Sequence, residues 1–531
     1  MPDDSRTTSQ PDGWSWRDRA AGSIPVGRVL DPAVEPVDGV RAFPTAYVPD
    51  RLLIARRDDD AEAVDGLRLV REAAASFGWQ VVPESLRGDA LGEAEEPTPL
   101  LPGLGMLRAQ LVAPDGPSRG EAPVAPDAWR VLQRARRLSR GRLRDVALDH
   151  VVAIDPVGVN PFTRTNPFTR TNPFTRTNPH GADQYAEAGH GGRQPVARLG
   201  AGPTREGKPP RGRRRPVVAI LDTGCGAHDW LPDDIVTRRV ELDGAPLGLT
   251  DDADPERFPD LYGQLDGEID PVAGHGTFIA GIVRQVAPEA DILSVRVANA
   301  LGVVDESALL DTLAGLVELL ARYRAGREGG RAIDVLSLSL GYYHETPEDG
   351  LFSTVLFELL RRARELGCAV VCSAGNDAID RPPFPASLWP WPGGDNGIEP
   401  DDGAEHVSVG ALNPSGAAVA LFSNVGPWVR VYAPGAAVVS TMPAFEGGRQ
   451  ASSRDDRFER RRETIAPECY LGSFAVWSGT SFAAPFAAAT IAAQLGWPAA
   501  GIRAAGDACA ESRAATAAAL ELLAARDRSG G

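Results

Sequence analysis

An α/β fold is what this sequence predicts: a mostly parallel sheet with helices on both faces, preceded by a small α+β unit. Three observations carry it. From Pro216 onward, apolar runs of strand length alternate with helical patterns, and strands separated by helices build parallel sheets covered on both faces. Between residues 46 and 155 the patterning reads β-α-β-β-α-β. That is the order of a ferredoxin-like domain, with any other α+β domain of this length as the alternative. The two regions are separated by a Pro-, Gly- and Arg-rich stretch that fits neither period.

Residues 1–45 are polar and rich in Pro, Gly and Asp, and read as a tail that orders only on contact, if at all. Ala46–Arg56 is the first expected strand. Ala63–Phe77 sets Val64, Leu67, Val70, Ala74 and Phe77 on one helical face. Strands follow at Trp79–Leu86 and Leu107–Ala113. Asp127 is an expected N-cap for a helix that turns Val131, Leu132, Ala135 and Leu138 inward. Val146–Ile154 alternates as the last strand. Residues 156–215 are the expected linker. NPFTRT occurs three times in tandem, from Asn160, Asn166 and Asn172, and the stretch ends in RGRRRP. Three copies with a Pro in each are too few and too polar for a solenoid, so the repeat reads as a tether, and the Arg run as a solvated, protease-sensitive end with a basic docking patch as the alternative.

The second unit, 216–498, contains the runs VVAILDTG, ADILSVRV, IDVLSLSLG, CAVVCSAGN, HVSVGAL and VRVYAPG. Helical patterns at His275–Val286, Glu306–Arg322 and Leu351–Leu366 lie between them. Residues 499–531 are Ala-rich and predict a peripheral helix. In open parallel sheets, ligands sit at the carboxyl ends of the strands, and Asp222 and Asn376 stand at two such ends.

Composition narrows the class. A chain of 531 residues needs two or three domains, and a formal charge of −17 excludes nucleic acid and an anionic membrane as obvious partners. Cys225, Cys368, Cys372, Cys469 and Cys509 are odd in number, follow no zinc spacing and form no disulfide framework; CAVVC reads as core. No apolar stretch follows a basic start, and no apolar run reaches membrane-spanning length, so the expected location is the cytoplasm.

Four stretches carry chemistry. ILDTG ends a strand at Asp222, GHGTFIAGI opens a helix at His275, SAGND ends a strand at Asn376, and GTSFAAP opens a helix at Ser481. A hydroxyl nucleophile needs a base, the base an orienting group, and the developing oxyanion needs donors. Singly, each residue has a plainer reading: a strand-end cap, a core histidine, a turn residue, a helix of small residues. Together, in the order Asp, His, Ser, residues 216–498 resemble the subtilisin-like serine protease family.

The resemblance implies roles. Ser481 is the nucleophile, His275 the general base and then acid, and Asp222 the residue that orients the imidazole. Asn376 donates to the oxyanion beside the Ser481 backbone N–H. Ser339-Leu340-Gly341 matches the strand on which an extended peptide or protein substrate pairs. No cofactor is expected for catalysis. Structural calcium is common in the family, and Asp251-Asp252-Ala253-Asp254 is the acidic turn where it would be sought, a solvated loop being the alternative. The 46–155 unit resembles the family's propeptide by topology, so the chain's own N-terminal domain is expected as an intramolecular inhibitor and folding aid, with self-cleavage between Pro156 and Arg215. The pattern departs from the family at Phe278-Ile279, Phe482 and Tyr342, and the latter two are expected to reshape the cleft. The insert at 445–474 reads as a lid or a surface loop. The expected function is serine endopeptidase through an acyl-enzyme; ligation by the same triad and a non-catalytic binding protein are the alternatives.

Overall fold

The computed structural model describes residues 27–58, 65–92, 95–113, 124–154, 182–262, 267–346, 354–394 and 397–528, with a few more between 11 and 19. The NPFTRT repeats lie outside the described residues, as do Val64 and the first three residues of the helix expected at Leu351.

The N-terminal region consists of β1 (Ala46–Arg57), α1 (Gly66–Ala75), β2 (Gln80–Glu84), β3 (Leu104–Val112), α2 (Ala128–Leu138) and β4 (Val146–Ala153). Its sheet is antiparallel in the order β4-β1-β3-β2, the fourth-first-third-second order of a ferredoxin-like sheet. Arg28–Val29 and Thr98–Leu101 pair on its flanks. The helices cap as their sequences dictate: the Asp65 and Asp127 side chains accept the Arg68 and Trp129 N–H groups. Both helices close one face over Leu52, Ile54, Leu107 and Leu148. Leu138 departs from the expected inward set and is exposed, because it is the last residue of α2 and points beyond the sheet. Arg136 is buried in the same turn.

The larger region contains β5 (Val217–Asp222), α3 (His275–Val286), β6 (Asp291–Arg296), β7 (Val303–Asp305), α4 (Glu306–Arg324), β8 (Val335–Leu338), α5 (Thr354–Glu365), β9 (Ala369–Ser373), β10 (His406–Leu412) and β11 (Val431–Pro434). After these come β12 (Val438–Thr441), β13 (Phe474–Trp477), α6 (Thr480–Leu495) and α7 (Ala505–Arg528). The main sheet runs β11-β10-β9-β8-β5-β6, with Val236–Thr237 at its edge, and every pairing in it is parallel. Alternate residues of β5 feed two cores: Val217, Ala219 and Leu221 face the side of α4 and α5, while Val218 and Ile220 face that of α3 and α6. Cys368 and Cys372 belong to the first core, and all five cysteines are free. The C-terminal helix α7 inserts Ala519 and Leu523 into the second.

The two regions share a strand ladder. β7 pairs antiparallel with β4, Val303 opposite Ala153. On the other edge of β4, Ala153 exchanges both backbone hydrogen bonds with Gly341, at 3.0 and 2.9 Å; on the β7 edge, Ile154 N–H reaches Gly302 O at 2.7 Å.

Residues 182–215 correct the expectation of a solvated linker. Gln194–Pro195 adds to β13, Arg205 pairs with Asp291, and Arg214 grips Asp334 with both guanidinium nitrogens, at 2.5 and 2.6 Å. The Arg run is docked because acidic partners stand at the sheet's lower edge. The insert at 445–474 carries an exposed antiparallel hairpin, Arg454–Arg457 with Arg460–Glu463, tipped by the exposed Phe458.

Candidate active site

Strand ends and helix starts converge at one place. Asp222 is the last residue of β5, His275 the first of α3, Asn376 follows β9, and Ser481 lies in the first turn of α6. Two glycines make the approach possible. Gly274, just before His275, has φ +82°, and a Cβ there would meet Met442 at 2.6 Å. Gly276 lies so close to the loop after β5 that a Cβ would stand 2.0 Å from Gly224 O.

His275 Nδ1 donates to Asp222 Oδ1 at 2.8 Å. A carboxylate only accepts, so the proton of the neutral ring sits on Nδ1 and Nε2 is left basic. Nε2 is buried without a hydrogen-bond partner among the described residues. Asp222 Oδ1 also accepts the Thr223 N–H at 2.8 Å. The imidazole is wedged edge-on against Trp477, with centroids 5.5 Å apart, and lies 5.1 Å from the Phe482 ring. Phe482 is the residue after Ser481, so the start of α6 is held against the imidazole ring.

Ser481 is 1% exposed, and Asp222 and His275 are 0% exposed. Ser481 Oγ contacts Ser339 O at 3.4 Å, while Ser339 Oγ donates to Ser481 O at 2.9 Å. The N–H groups of a helix's first turn lack intrahelical acceptors, which makes the start of α6 a place for developing negative charge. The Asn376 side-chain oxygen accepts the Thr480 N–H at 2.8 Å, which fixes the amide plane and turns its nitrogen toward Gly479. Gly341 is the residue paired with Ala153, and Leu340 is buried behind it. The structure therefore brings together all four expected catalytic residues and sets the expected substrate strand beside them.

Tyr342 and Phe482, the two residues expected to reshape the cleft, are both buried. Phe482 is fully buried among Phe278, Trp477 and His275. Phe278 fills the same aromatic cluster, its centroid 4.5 Å from that of Phe482. Tyr342 stacks on His150 of β4 at 4.5 Å and donates to Glu306 at 3.0 Å. Asp251 and Asp254 accept the N–H groups of Ala253 and Glu256, using the acidic turn as a backbone cap.

Sequence reasoning missed three contributors. Arg193 is half-buried and donates to the Ile269, Asp270 and Ala273 carbonyls in the loop before His275. Trp477 backs the imidazole. Glu256 lies beneath the start of α3. None belongs to a motif, and only the Thr residues in ILDTG and GHGT, both bonded to Glu256, hinted at it.

The chain belongs to the subtilase family: residues 213–500 match Peptidase_S8, the Subtilase family. It is similar to the intracellular serine protease of Paenibacillus polymyxa, at 29% identity over 52% of this chain and 65% of that protein. It is likewise similar to the serine protease AprX of Bacillus subtilis, at 28% over 51% of this chain and 55% of that protein. The chain thus spans less than two thirds of the length of these curated relatives. Among solved structures it is similar to fervidolysin from Fervidobacterium pennivorans, with 19% identity, a TM-score of 0.42, and coverage of 86% of this chain and 55% of that one. Among the described residues no helix is long and apolar enough to cross a membrane.

Proposed function

We propose that this chain is a serine endopeptidase that works through an acyl-enzyme on Ser481. The observation that carries the reading is the 2.8 Å bond from His275 Nδ1 to Asp222, which leaves Nε2 basic beside the Ser481 turn. Ser481 Oγ attacks the scissile carbonyl and its proton passes to Nε2. The oxyanion is held by the Asn376 amide and the Ser481 N–H. Nε2–H then protonates the leaving amine, and water, deprotonated by the same nitrogen, releases the acid. Catalysis needs no cofactor. Calcium at the acidic turn would act on stability, and an unchanged initial rate in EDTA checks this.

The N-terminal region is proposed as the intramolecular inhibitor of a zymogen. Its support is the seating of Ala153 and Ile154 on Gly341 and Gly302, the way an extended peptide adds to a sheet edge. The proposed cut lies between Pro156 and Arg215. The packing of residues 182–215 favours a position before them, and the bonds concerned lie outside the described residues. Asp155–Pro156 and Asn160–Pro161 are poor sites, since Pro follows the scissile carbonyl. A cytoplasmic location is supported by the relatives named as intracellular proteases.

The test is Ser481→Ala. The variant should lose peptide hydrolysis and remain full length, whereas the parent matures to a fragment retaining 216–531. Turnover by Ser481→Ala at the parent rate would refute the assignment. Product masses with an added amine acceptor separate hydrolysis from ligation by the same triad.

A further inference from the structure

A carboxylate with no assigned work stands behind the triad. Glu256 lies in the long loop between β5 and α3 and is 3% exposed. Its Oε1 accepts the Thr223 hydroxyl at 2.5 Å and the Gly276 N–H at 2.9 Å; Oε2 accepts the Thr277 hydroxyl at 2.5 Å and the Thr277 N–H at 3.2 Å. Two of these donors are first-turn N–H groups of α3, the helix that opens with His275. The helix dipole favours a negative charge there. The third is the hydroxyl of Thr223, the residue next to Asp222.

Thr223 has one hydroxyl proton and two carboxylates within reach, Glu256 at 2.5 Å and Asp222 Oδ1 at 3.1 Å. Thr223 Oγ also accepts the Gly276 N–H at 2.8 Å. We propose that Glu256 is a positioning residue of the triad: it fixes His275 through the start of α3 and sets the charge felt by Asp222 through the single hydroxyl proton of Thr223.

The inference rests on the triad reading above. With Glu256 ionised, the shorter contact holds the Thr223 proton, and Asp222 Oδ1 keeps its lone pairs for His275 Nδ1–H and its own neighbour's N–H. With a proton from solvent on Glu256 Oε1, that proton is donated to Thr223 Oγ and Thr223 turns its own toward Asp222. No other bond is made or broken. The second state has one negative charge fewer and a weaker acceptor on Asp222, so it stabilises a charged His275 ring less. Burial pushes Glu256 up to about 7 against the pull of the Thr223 and Thr277 hydroxyls, so the two states exchange where a triad operates.

The other ionisable groups around Glu256 are few. Asp222 on β5 and Asp254 in its own loop both disfavour its charge. His275 is on α3. Burial pushes the Cys225 thiol up to about 12, so that group stays neutral. Arg296 at the end of β6 brings its aliphatic stem to the same point beside Gly224 as the Glu256 stem, and its guanidinium donates to the Leu249 and Asp251 carbonyls. A plain helix cap would need the two N–H bonds alone. The Thr223 link is what ties the carboxylate to Asp222.

The experiment follows the His275 ring in the full chain by NMR, using the Nδ1 proton bonded to Asp222, in parallel with the pH dependence of peptide hydrolysis. The parent should show a second inflection near pH 7 from Glu256. In Glu256→Gln that inflection should vanish, and the His275 transition should move to lower pH by about half a unit or more, since a nearby negative charge is gone. The rate constant kcat should fall by about tenfold or more with KM little changed, as expected for misplaced catalytic geometry. A folded Glu256→Gln chain with the parent's curve, whatever its rate, would overturn the inference. Should that variant fail to fold, Thr223→Val tests the same link: with the shared hydroxyl gone, the inflection near pH 7 should vanish from the His275 curve, and an inflection that persists overturns the proposal. Ser481→Ala separates the two levels. If that variant is active, the triad reading fails. If it is dead while Glu256→Gln titrates like the parent, only this inference fails.

Discussion

Two buried histidines, one in each region, are used in opposite ways. His150 on β4 is clamped at both ring nitrogens, Nδ1 to Glu306 at 2.6 Å and Nε2 to Glu345 at 2.8 Å. Among the described residues His275 is clamped at one nitrogen only, and its Nε2 is uncommitted. Both rings are fully buried. Burial works against charge on His150, but Glu306 and Glu345 outweigh it and raise the ring to about 10. Arg136 from α2 adds a second cation against Glu345, so two carboxylates meet two cations across the interface. A ring held twice is a fixed cation that joins two surfaces. A ring held once is oriented and still able to take a proton. The difference is one carboxylate, and it separates a joint from a catalyst.

The comparison breaks most sharply under truncation of each ring. His275→Ala should abolish hydrolysis, by about a millionfold in kcat, the magnitude that loss of the equivalent group has in subtilisin. His150→Leu should do the reverse. It leaves Glu306 and Glu345 buried without their shared cation, a defect of about 3–5 kcal/mol. The intact chain should therefore turn over peptide faster than the parent before any cut, as initial rates would read. Asn376→Ala should lower kcat by about 10²–10³ with KM nearly constant, again subtilisin's own magnitude.

Proton linkage sharpens the contrast at smaller cost. His150 has an ordinary value near 6.5 when released and about 10 when docked. Docking therefore takes up a proton between these values. Its contribution is complete below about pH 6.5 and is lost as pH rises through about 10, by at most about tenfold in the docking equilibrium per pH unit. The rate of limited proteolysis between residues 156 and 181, compared at pH 6 and pH 9, should rise with pH in the parent and not in His150→Leu. The smallest effect belongs to Tyr342→Phe. It removes one hydrogen bond to Glu306 while keeping the ring on His150, and should lower the melting temperature by the equivalent of about 1–2 kcal/mol.

The site is more legible in the sequence than the interface. Asp222, His275, Asn376 and Ser481 each stand in a short motif at a strand end or helix start, where local pattern and chemistry coincide. The main sheet's strands are legible for the same reason: VVAILD and CAVVC are apolar on both faces because both faces are covered. β7 is not legible, since three residues of VVD become a strand only by pairing with β4, some 150 positions earlier. Glu345 and Arg136 carry no local mark of burial on an Arg-rich chain; it depends on two distant elements meeting. Residues 182–215 read as solvent-loving linker because Arg side chains carry no sign of whether a carboxylate waits for them. Glu256 is hidden for a related reason, its four donors coming from two motifs that the sequence separates by about fifty residues.

The central claim, that one uncommitted nitrogen beside a helix-start serine makes this the working histidine, is tested most directly with a fluorophosphonate. The reagent is added to the full chain and the adduct is located by peptide mapping. A single adduct on Ser481 is expected, forming slowly in the parent, faster in His150→Leu, and not at all in His275→Ala. Labelling of another residue, or of Ser481 at an equal rate without His275, would contradict the account.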